Sequence, residues 1–162
     1  MMAIKILTTG GTIDKIYFDQ KSEFQVGEPQ ICQLLDEANV TFDFEVESIL
    51  RKDSLDLTDA DRQMIVDKVK AEPGERVLIT HGTDTMIETA RCLSEHIKDK
   101  TIVLTGSMQP ATIRSSDAEF NIGFAIAALQ LLPAGVYIAM NGKVFDPNGS
   151  RKNVEENRFE EF

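Results

Sequence analysis

The sequence predicts an α/β fold of three layers: a mostly parallel sheet flanked by helices, forming a single domain over residues 1–162. Three observations predict it. Short runs rich in Ile, Leu and Val alternate with stretches of helical periodicity, and that alternation places helices on both faces of a parallel sheet. The 162 residues suit one domain, and 42% hydrophobic content is enough to bury a core. No internal repeat, linker or low-complexity segment interrupts the pattern. The expected architecture is therefore Rossmann- or flavodoxin-like.

The elements follow in chain order. AIKILTT (3–9) is an apolar run ending in hydroxyls and glycine, and reads as the first strand. Residues 14–27 break the alternation. They are polar, carry Tyr17, Phe18 and Phe24, and read as a hairpin or a mobile flap. A helix begins near Pro29, a residue suited to a first helical turn, and runs through QICQLLDEA. FDFEVESI (42–49) is the second strand. Thr58 with Asp61 three residues on is a variant of the capping box, opening a helix that ends before Pro73-Gly74. RVLIT (76–80) is a strand. In the helix expected over 84–98, Met86, Ala90, Leu93 and Ile97 share one face. TIVLTG (101–106) is the next strand, a helix over 116–132 stops at Pro133, and GVYIAM (135–140) is the last strand. From Asn141 onward no helical period is visible. The acidic tail EENRFEEF reads as a partly ordered end whose Phe159 and Phe162 pack on the body or on a partner.

Charge narrows the partners. Seventeen Lys and Arg stand against 27 Asp and Glu, a net charge of −10. Nucleic acid and anionic membrane both need a basic face, so neither is expected as a partner. No apolar run is long enough to span a bilayer. MMAIKIL enters a strand without the layout of a signal peptide. Cys32 and Cys92 lie far apart in helix-like stretches and read as buried, reduced thiols. A cytoplasmic location is the expectation from both, and no metal-like spacing is present.

In sheets of this kind ligands bind beyond the carboxyl ends of the strands. Those ends carry Thr9-Gly10-Gly11-Thr12, Asp53-Ser54, His81-Gly82-Thr83-Asp84, Gly106-Ser107-Met108, and the segment from Asn141. The set is rich in hydroxyls and glycine. Neither G-x-G-x-x-G nor G-x-x-x-x-G-K-[ST] occurs, so dinucleotide and phosphate-loop chemistry are disfavoured. Taken locally, Gly10-Gly11 reads first as a tight turn; its alternative is a close backbone approach to a ligand. Thr83 or Asp84 could be a helix N-cap, but capping does not account for His-Gly-Thr-Asp-Thr together. His81 reads as a core histidine with both nitrogens satisfied, in preference to a catalytic group. A late-loop lysine such as Lys152 is ordinarily a solvated charge. Threonines at strand ends with one lysine nevertheless suit a threonine nucleophile that needs a base.

These motifs resemble those of the bacterial-type L-asparaginases, the threonine amidohydrolases. TTGGTID resembles the first signature, with Thr12 at the nucleophile position. THGTDTMIETA resembles the second, with Thr83 and Asp84 at the catalytic pair. GSMQP with SSDAEFNI resembles the strand and helix that follow, and MNGKVFDPNGSRKN the late loop, with Lys152 at the catalytic lysine. DSLDLTDADR resembles the segment that holds the substrate's carboxylate, at Ser54. The resemblance runs over essentially the whole chain.

It implies that Thr12 attacks the side-chain amide of L-asparagine and that Thr83, Asp84 and Lys152 form a connected group. It implies backbone N–H groups of Gly11 and Thr83 facing the oxyanion. Asp84 would hold the substrate's α-ammonium and Ser54 its α-carboxylate, with Asp53 and Ser107 beside them. No metal or organic cofactor is implied. L-Glutamine is a second candidate substrate.

The chain departs from the family pattern in two respects that bear on the site. The usual member has a C-terminal domain, and a neighbouring subunit's copy lends an acidic group to the site. Three readings follow: a one-domain variant, a homo-oligomer whose other surface completes the site, or a chain cut from a longer protein. The flap tyrosine of the family falls at Phe24, leaving Tyr17 as the candidate hydroxyl. Two functions thus compete. One is an L-asparaginase. The other is a non-catalytic amide- or amino-acid-binding domain, or an amidotransferase component working with a partner chain.

Overall fold

Thr8 pairs with Ser48, but two residues later Gly10 pairs with Lys52. This slip at the end of the first strand organises one side of the sheet. The computed structural model describes residues 3–162. Its main sheet contains β1 (Ile4–Gly10), β4 (Phe44–Lys52), β5 (Arg76–Thr80), β6 (Thr101–Thr105), β7 (Gly135–Met140) and β8 (Lys143–Phe145). Their order is β4-β1-β5-β6-β7-β8. The first five are parallel; β8 folds back antiparallel on β7. The chain leaves β1 for β4 on one side and returns to β5 on the other. The carboxyl ends of β1 and β5 therefore flank the point where strand order reverses, the usual ligand crevice of such sheets.

Four helices cover the sheet: α1 (Ile31–Glu37), α2 (Asp59–Ala71), α3 (Met86–His96) and α4 (Ala118–Leu131). Val77 and Ile79 of β5 pack with Ile65, Val66 and Val69 of α2 and Met86, Ala90 and Leu93 of α3. Leu78, between them, packs with Ile31 and Leu35 of α1 and Ile122, Ala125 and Leu129 of α4. Successive residues of one strand thus enter opposite cores, which is why RVLIT is apolar without alternation. Each fully buried aliphatic side chain contributes about 1.5–3 kcal/mol. The predicted face of α3 is the buried one: Met86, Ala90, Leu93 and Ile97 all lie in the core. At the start of α2 the capping box is complete. Asp61 N–H donates to Thr58 Oγ1 at 3.1 Å, and Thr58 N–H donates to Asp61 Oδ2 at 3.0 Å.

Strands β5 and β7 fall on the predicted residues, whereas β4 runs on to Lys52. The slip opposite Gly10 keeps its last residues paired. The segment after β1 is a hairpin of β2 (Lys15–Phe18) and β3 (Glu23–Val26). The tail holds a second hairpin, β9 (Ser150–Asn153) with β10 (Arg158–Glu161). Phe159 is buried, with its ring 6.2 Å from that of Phe145. Phe162 is exposed, so only one of the two tail phenylalanines packs on the body.

The expectation of buried thiols is corrected. Cys32 is exposed and Cys92 half-buried, both unpaired. Cys32 lies off the stripe of α1 that carries Ile31 and Leu35 into the core. Burial pushes the Cys92 thiol up from its ordinary value, with Glu95 adding to the effect. Among the described residues no helix is long and apolar enough to cross a membrane.

Candidate active site

Three strand ends meet backbone to backbone, and glycine is what lets them. Gly10 and Gly11 have φ of +99° and +85°, which L side chains rarely adopt. A Cβ on Gly11 would stand 2.5 Å from Gly82 N and 2.6 Å from Gly82 Cα. A Cβ on Gly82 would stand 2.6 Å from both Cβ and Oγ of Ser54. The segments after β1, β5 and β4 are thus packed in contact, and Thr12 and Thr83 each follow a contact glycine by one residue. The close approach at Gly10-Gly11 is to the chain's own backbone, at Lys52 and Gly82.

Lys152 joins this point from β9. Its Nζ donates to Thr83 Oγ1 at 2.8 Å and to Asp84 Oδ1 at 2.7 Å. The lysine side chain is 15% exposed and that of Asp84 39%, so the pair lies at the mouth of the crevice. Thr83 is buried. A threonine hydroxyl that accepts from lysine keeps its own proton to donate. On β9, Lys152 is the cross-strand partner of Phe159, whose burial anchors the hairpin that carries it.

Thr12 is half-buried, and its hydroxyl has no hydrogen-bond partner among the described residues. One expected oxyanion donor is corrected: Gly11 N–H donates to the Lys52 carbonyl at 2.9 Å, where it closes the slip between β1 and β4. The backbone N–H groups of Thr12 and Thr83 have no acceptor among the described residues. They are among the donors left at the junction, where Gly82 N–H is also unpaired among the described residues.

The remaining expected residues divide. Ser54 lies at the junction, but its Oγ is enclosed and unpartnered. Its carbonyl accepts from Thr85 Oγ1 at 2.8 Å, a tie between two strand ends that the sequence reading missed. Both oxygens of Asp53 are engaged: Oδ1 accepts from Leu55 N–H at 3.1 Å, and Oδ2 pairs with Lys15 Nζ at 3.0 Å. Burial pushes its carboxyl up, but the Lys15 and Leu55 hydrogen bonds and nearby lysine charge outweigh this and hold it below its ordinary value. Ser107 donates to the Gln109 carbonyl and so braces the loop after β6. Tyr17 is exposed, stacked edge-on against Phe24 at 5.4 Å, and its hydroxyl bonds to nothing among the described residues. The structure leaves it outside the threonine–lysine cluster.

His81 is fully buried with both ring nitrogens partnered, as expected of a core histidine. Nδ1 lies 2.7 Å from the Gly82 carbonyl and Nε2 2.8 Å from Thr89 Oγ1. Burial pushes its pKa down to about 4, so at neutral pH the ring is uncharged. Nδ1–H donates to Gly82, and Nε2 accepts from Thr89.

Two carboxylates escaped the sequence reading. Asp14 is buried beside the hairpin root. Its Oδ1 accepts from Gln30 N–H at 2.9 Å, and its carbonyl accepts from Gly27 N–H at 2.8 Å. It therefore ties both ends of the flap. Asp117 accepts from Met108 N–H at 3.0 Å, Gln109 N–H at 3.2 Å and Asn121 Nδ2 at 2.9 Å, which fixes the loop after β6. Its signal was the Asp-x-x-x-Asn spacing opening α4. Among the described residues no cluster of His, Cys, Asp and Glu could hold a metal ion.

Comparison with known proteins places these features in a family. The family model for Asparaginase, N-terminal, matches residues 3–162. The chain is 34% identical over 168 residues to a glutaminase-asparaginase of Acinetobacter glutaminasificans, covering 93% of this chain and 50% of the relative. It is 35% identical over 160 residues to L-asparaginase 2 of Escherichia coli (strain K12), covering 88% and 44%. The structure superposes on the thermostable L-asparaginase from Thermococcus kodakarensis with a TM-score of 0.87 and 29% identity, covering 99% of this chain and 51% of that one. The chain thus spans about half the length of the relatives it matches. With the family model matching residues 3–162 and the same fold in a solved relative, the chain belongs to the asparaginase family, in the region of its N-terminal domain.

Proposed function

We propose that this chain hydrolyses L-asparagine to L-aspartate and ammonia through Thr12, with L-glutamine as a secondary substrate. The observation that carries the reading is Lys152 Nζ within hydrogen-bond distance of both Thr83 Oγ1 and Asp84 Oδ1, at the junction that also holds Thr12. Thr12 Oγ1 attacks the amide carbon. Its proton passes to Thr83 Oγ1 as Thr83 releases its own toward Lys152, the direction of that hydrogen bond reversing in the step. The tetrahedral oxyanion is met by the Thr12 and Thr83 N–H groups, each worth about 3 kcal/mol of barrier. The amide nitrogen takes that proton back from Lys152 through Thr83 and leaves as ammonia. Water then hydrolyses the acyl-threonine to aspartate.

Asp84 keeps Oδ2 for the α-ammonium of the substrate. Ser54 reaches the α-carboxylate after its enclosed Oγ turns away from Gly82. The choice between asparagine and glutamine rests on one methylene, worth about 1–3 kcal/mol.

The test is ammonia release from asparagine by the purified chain, with Thr12→Ala as the control. Release well above the control is expected, and none above it would sink the reading. The competing reading, an amidotransferase component that works with a partner chain, draws on the chain spanning about half of its relatives' length. It predicts turnover only when that partner is added.

Two finer assignments belong to this proposal. Tyr17 and Phe24 are cross-strand partners and so project from one face of the hairpin. Lys15, two residues before Tyr17, shares that face and reaches Asp53, next to Ser54. A flap that closes Phe24 over the crevice brings Tyr17 with it. Tyr17→Phe is expected to lower kcat about tenfold, and an unchanged kcat returns the role to another residue. The second assignment is a homo-oligomer. Leu55 and Val154, beside Ser54 and Lys152 in the chain, are large, apolar and exposed, and a partner copy would cover them. Sedimentation of the active chain as a stable monomer would refute this.

A further inference from the structure

The Gly82–Thr83 peptide unit has two ends. Its N–H is one of the unpaired donors at the junction, and its carbonyl oxygen accepts from the ring of His81 at 2.7 Å. Among the described residues no peptide bond is cis, so this C=O and N–H point in opposite directions across one rigid plane. Whatever fixes the carbonyl therefore fixes the direction of the N–H.

Gly82 cannot do this itself. It must be glycine, because Ser54 leaves no room for a Cβ, and a glycine peptide turns more freely than any other. His81 is held from the other side. Its own N–H donates to the Thr105 carbonyl at 2.9 Å, and its carbonyl packs so closely on Gly106 that no side chain fits there. The ring is fully enclosed, and its far nitrogen accepts from Thr89 Oγ1 on α3 at 2.8 Å. The Gly82 carbonyl can only accept and so keeps the ring proton on Nδ1, while the Thr89 hydroxyl turns its own proton to Nε2 and holds the ring in place.

We infer that His81 is a positioning residue for the amide-hydrolysis step. Through the Gly82 carbonyl it holds the Thr83 N–H aimed at the developing oxyanion, and by polarising that peptide it strengthens the donor. The inference rests on the amidohydrolase reading above. His81 touches neither substrate nor nucleophile. Its neutral form carries the function, and Thr89 is part of the same device.

The experiment compares His81→Leu, which removes the donor at similar volume, with His81→Gln, which restores one, in the purified full chain. Steady-state kinetics with asparagine and equilibrium binding of aspartate are measured for each. His81→Leu is expected to lower kcat about 10- to 100-fold, at the level of a weakened oxyanion donor, with KM and aspartate binding within threefold of wild type. The loss is constant between pH 6 and 9, because no titration of His81 is involved. His81→Gln recovers most of it.

A His81→Leu variant with kcat within threefold of wild type overturns the inference. So does a loss shared equally by kcat and aspartate binding that His81→Gln leaves unrepaired, which is the signature of a packing role alone. If neither variant folds, Thr89→Val decides. It keeps the ring and removes the hydroxyl that holds its far nitrogen, and is expected to lower kcat severalfold at constant KM; unchanged kcat there overturns the inference. An inactive wild-type chain sinks the amidohydrolase reading and this inference with it, whereas an active wild type beside an unaffected His81→Leu sinks only the latter.

Discussion

Thr12→Val lowers asparagine turnover by at least ~10³-fold and shifts the melting temperature by no more than about 2 °C. The two halves of this result have separate causes. Valine has the shape of threonine, and Thr12 Oγ1 makes no hydrogen bond among the described residues that its removal would break. The fold therefore loses almost nothing. The chemistry loses the atom that forms the acyl bond, and no nearby group can replace it. Lys152→Met should do comparable damage from the other end of the relay, since its Nζ contacts both Thr83 and Asp84. Asp84 is substantially exposed, so losing its partner charge costs little stability. Groups that act as a unit are far from additive, and the double variant should be no slower than the slower single. Steady-state kinetics with thermal melts of all three variants checks this. Thr12→Val retaining a tenth of wild-type turnover would place the nucleophile elsewhere. A double variant slower by the product of the singles would show that the two residues do not share a step.

How far the sequence carried these conclusions differs from element to element. RVLIT and GVYIAM were legible because strands buried on both faces are uninterrupted apolar runs closed by turn residues, and both fall where expected. The helix caps at Thr58 and the buried face of α3 were legible for the same reason: local spacing alone dictates them. The hairpin that carries Lys152 was not. SRKN and RFEE are polar on most positions, and what holds them is Phe159 against Phe145 together with Asn141 Oδ1 accepting from Phe159 N–H at 2.8 Å. Those are contacts between residues far apart in sequence.

The site shows the same division. Thr12, Thr83, Asp84 and Lys152 could be nominated from motifs, and three of the four are joined by hydrogen bonds. What motifs could not display is which polar group is already occupied. Gly11 N–H, Asp53 and Ser107 each bond to a neighbour that only the folded register supplies: the Lys52 carbonyl, Lys15 and the Gln109 carbonyl. A sequence displays donors and acceptors, and pairing between strand ends decides which remain free. That rule also brought His81 forward. Its two partners made it a core residue by composition, and only the identity of one partner, the carbonyl of the Gly82–Thr83 peptide, connects it to the chemistry.

Asp14 shows the same principle acting on stability, and Asp14→Asn is expected to make the protein more stable at pH 8. Burial pushes the Asp14 carboxyl from 3.8 up to about 7, against the Gln30 hydrogen bond and the positive charge of Arg51, which draw it down. In the folded chain the group thus holds its proton through a range in which the unfolded chain has released it. Between about pH 4 and 7 the native state binds more protons than the unfolded state, so the stability Asp14 contributes is fully present below pH 4 and declines as pH rises to 7. Above 7 the decline stops, and the buried charge has by then cost up to about 4 kcal/mol. Asparagine keeps an oxygen for Gln30 N–H and never ionises.

The difference between Asp14→Asn and wild type should therefore be small near pH 5 and reach about 1–4 kcal/mol at pH 8, in favour of the variant. Using the difference matters, because Asp53 and Asp61, held low by lysine partners, lose stability in the opposite direction as pH falls and cancel only in the subtraction. Denaturant melts of both proteins across this range measure it. A variant less stable than wild type at pH 8 would mean that the carboxylate is stabilised by its contacts at the flap root more than burial opposes it. Since the same side chain and its carbonyl clip together the two ends of the flap, the buried charge is a cost carried where Lys15 and Tyr17 leave the body of the fold, two residues beyond the proposed nucleophile.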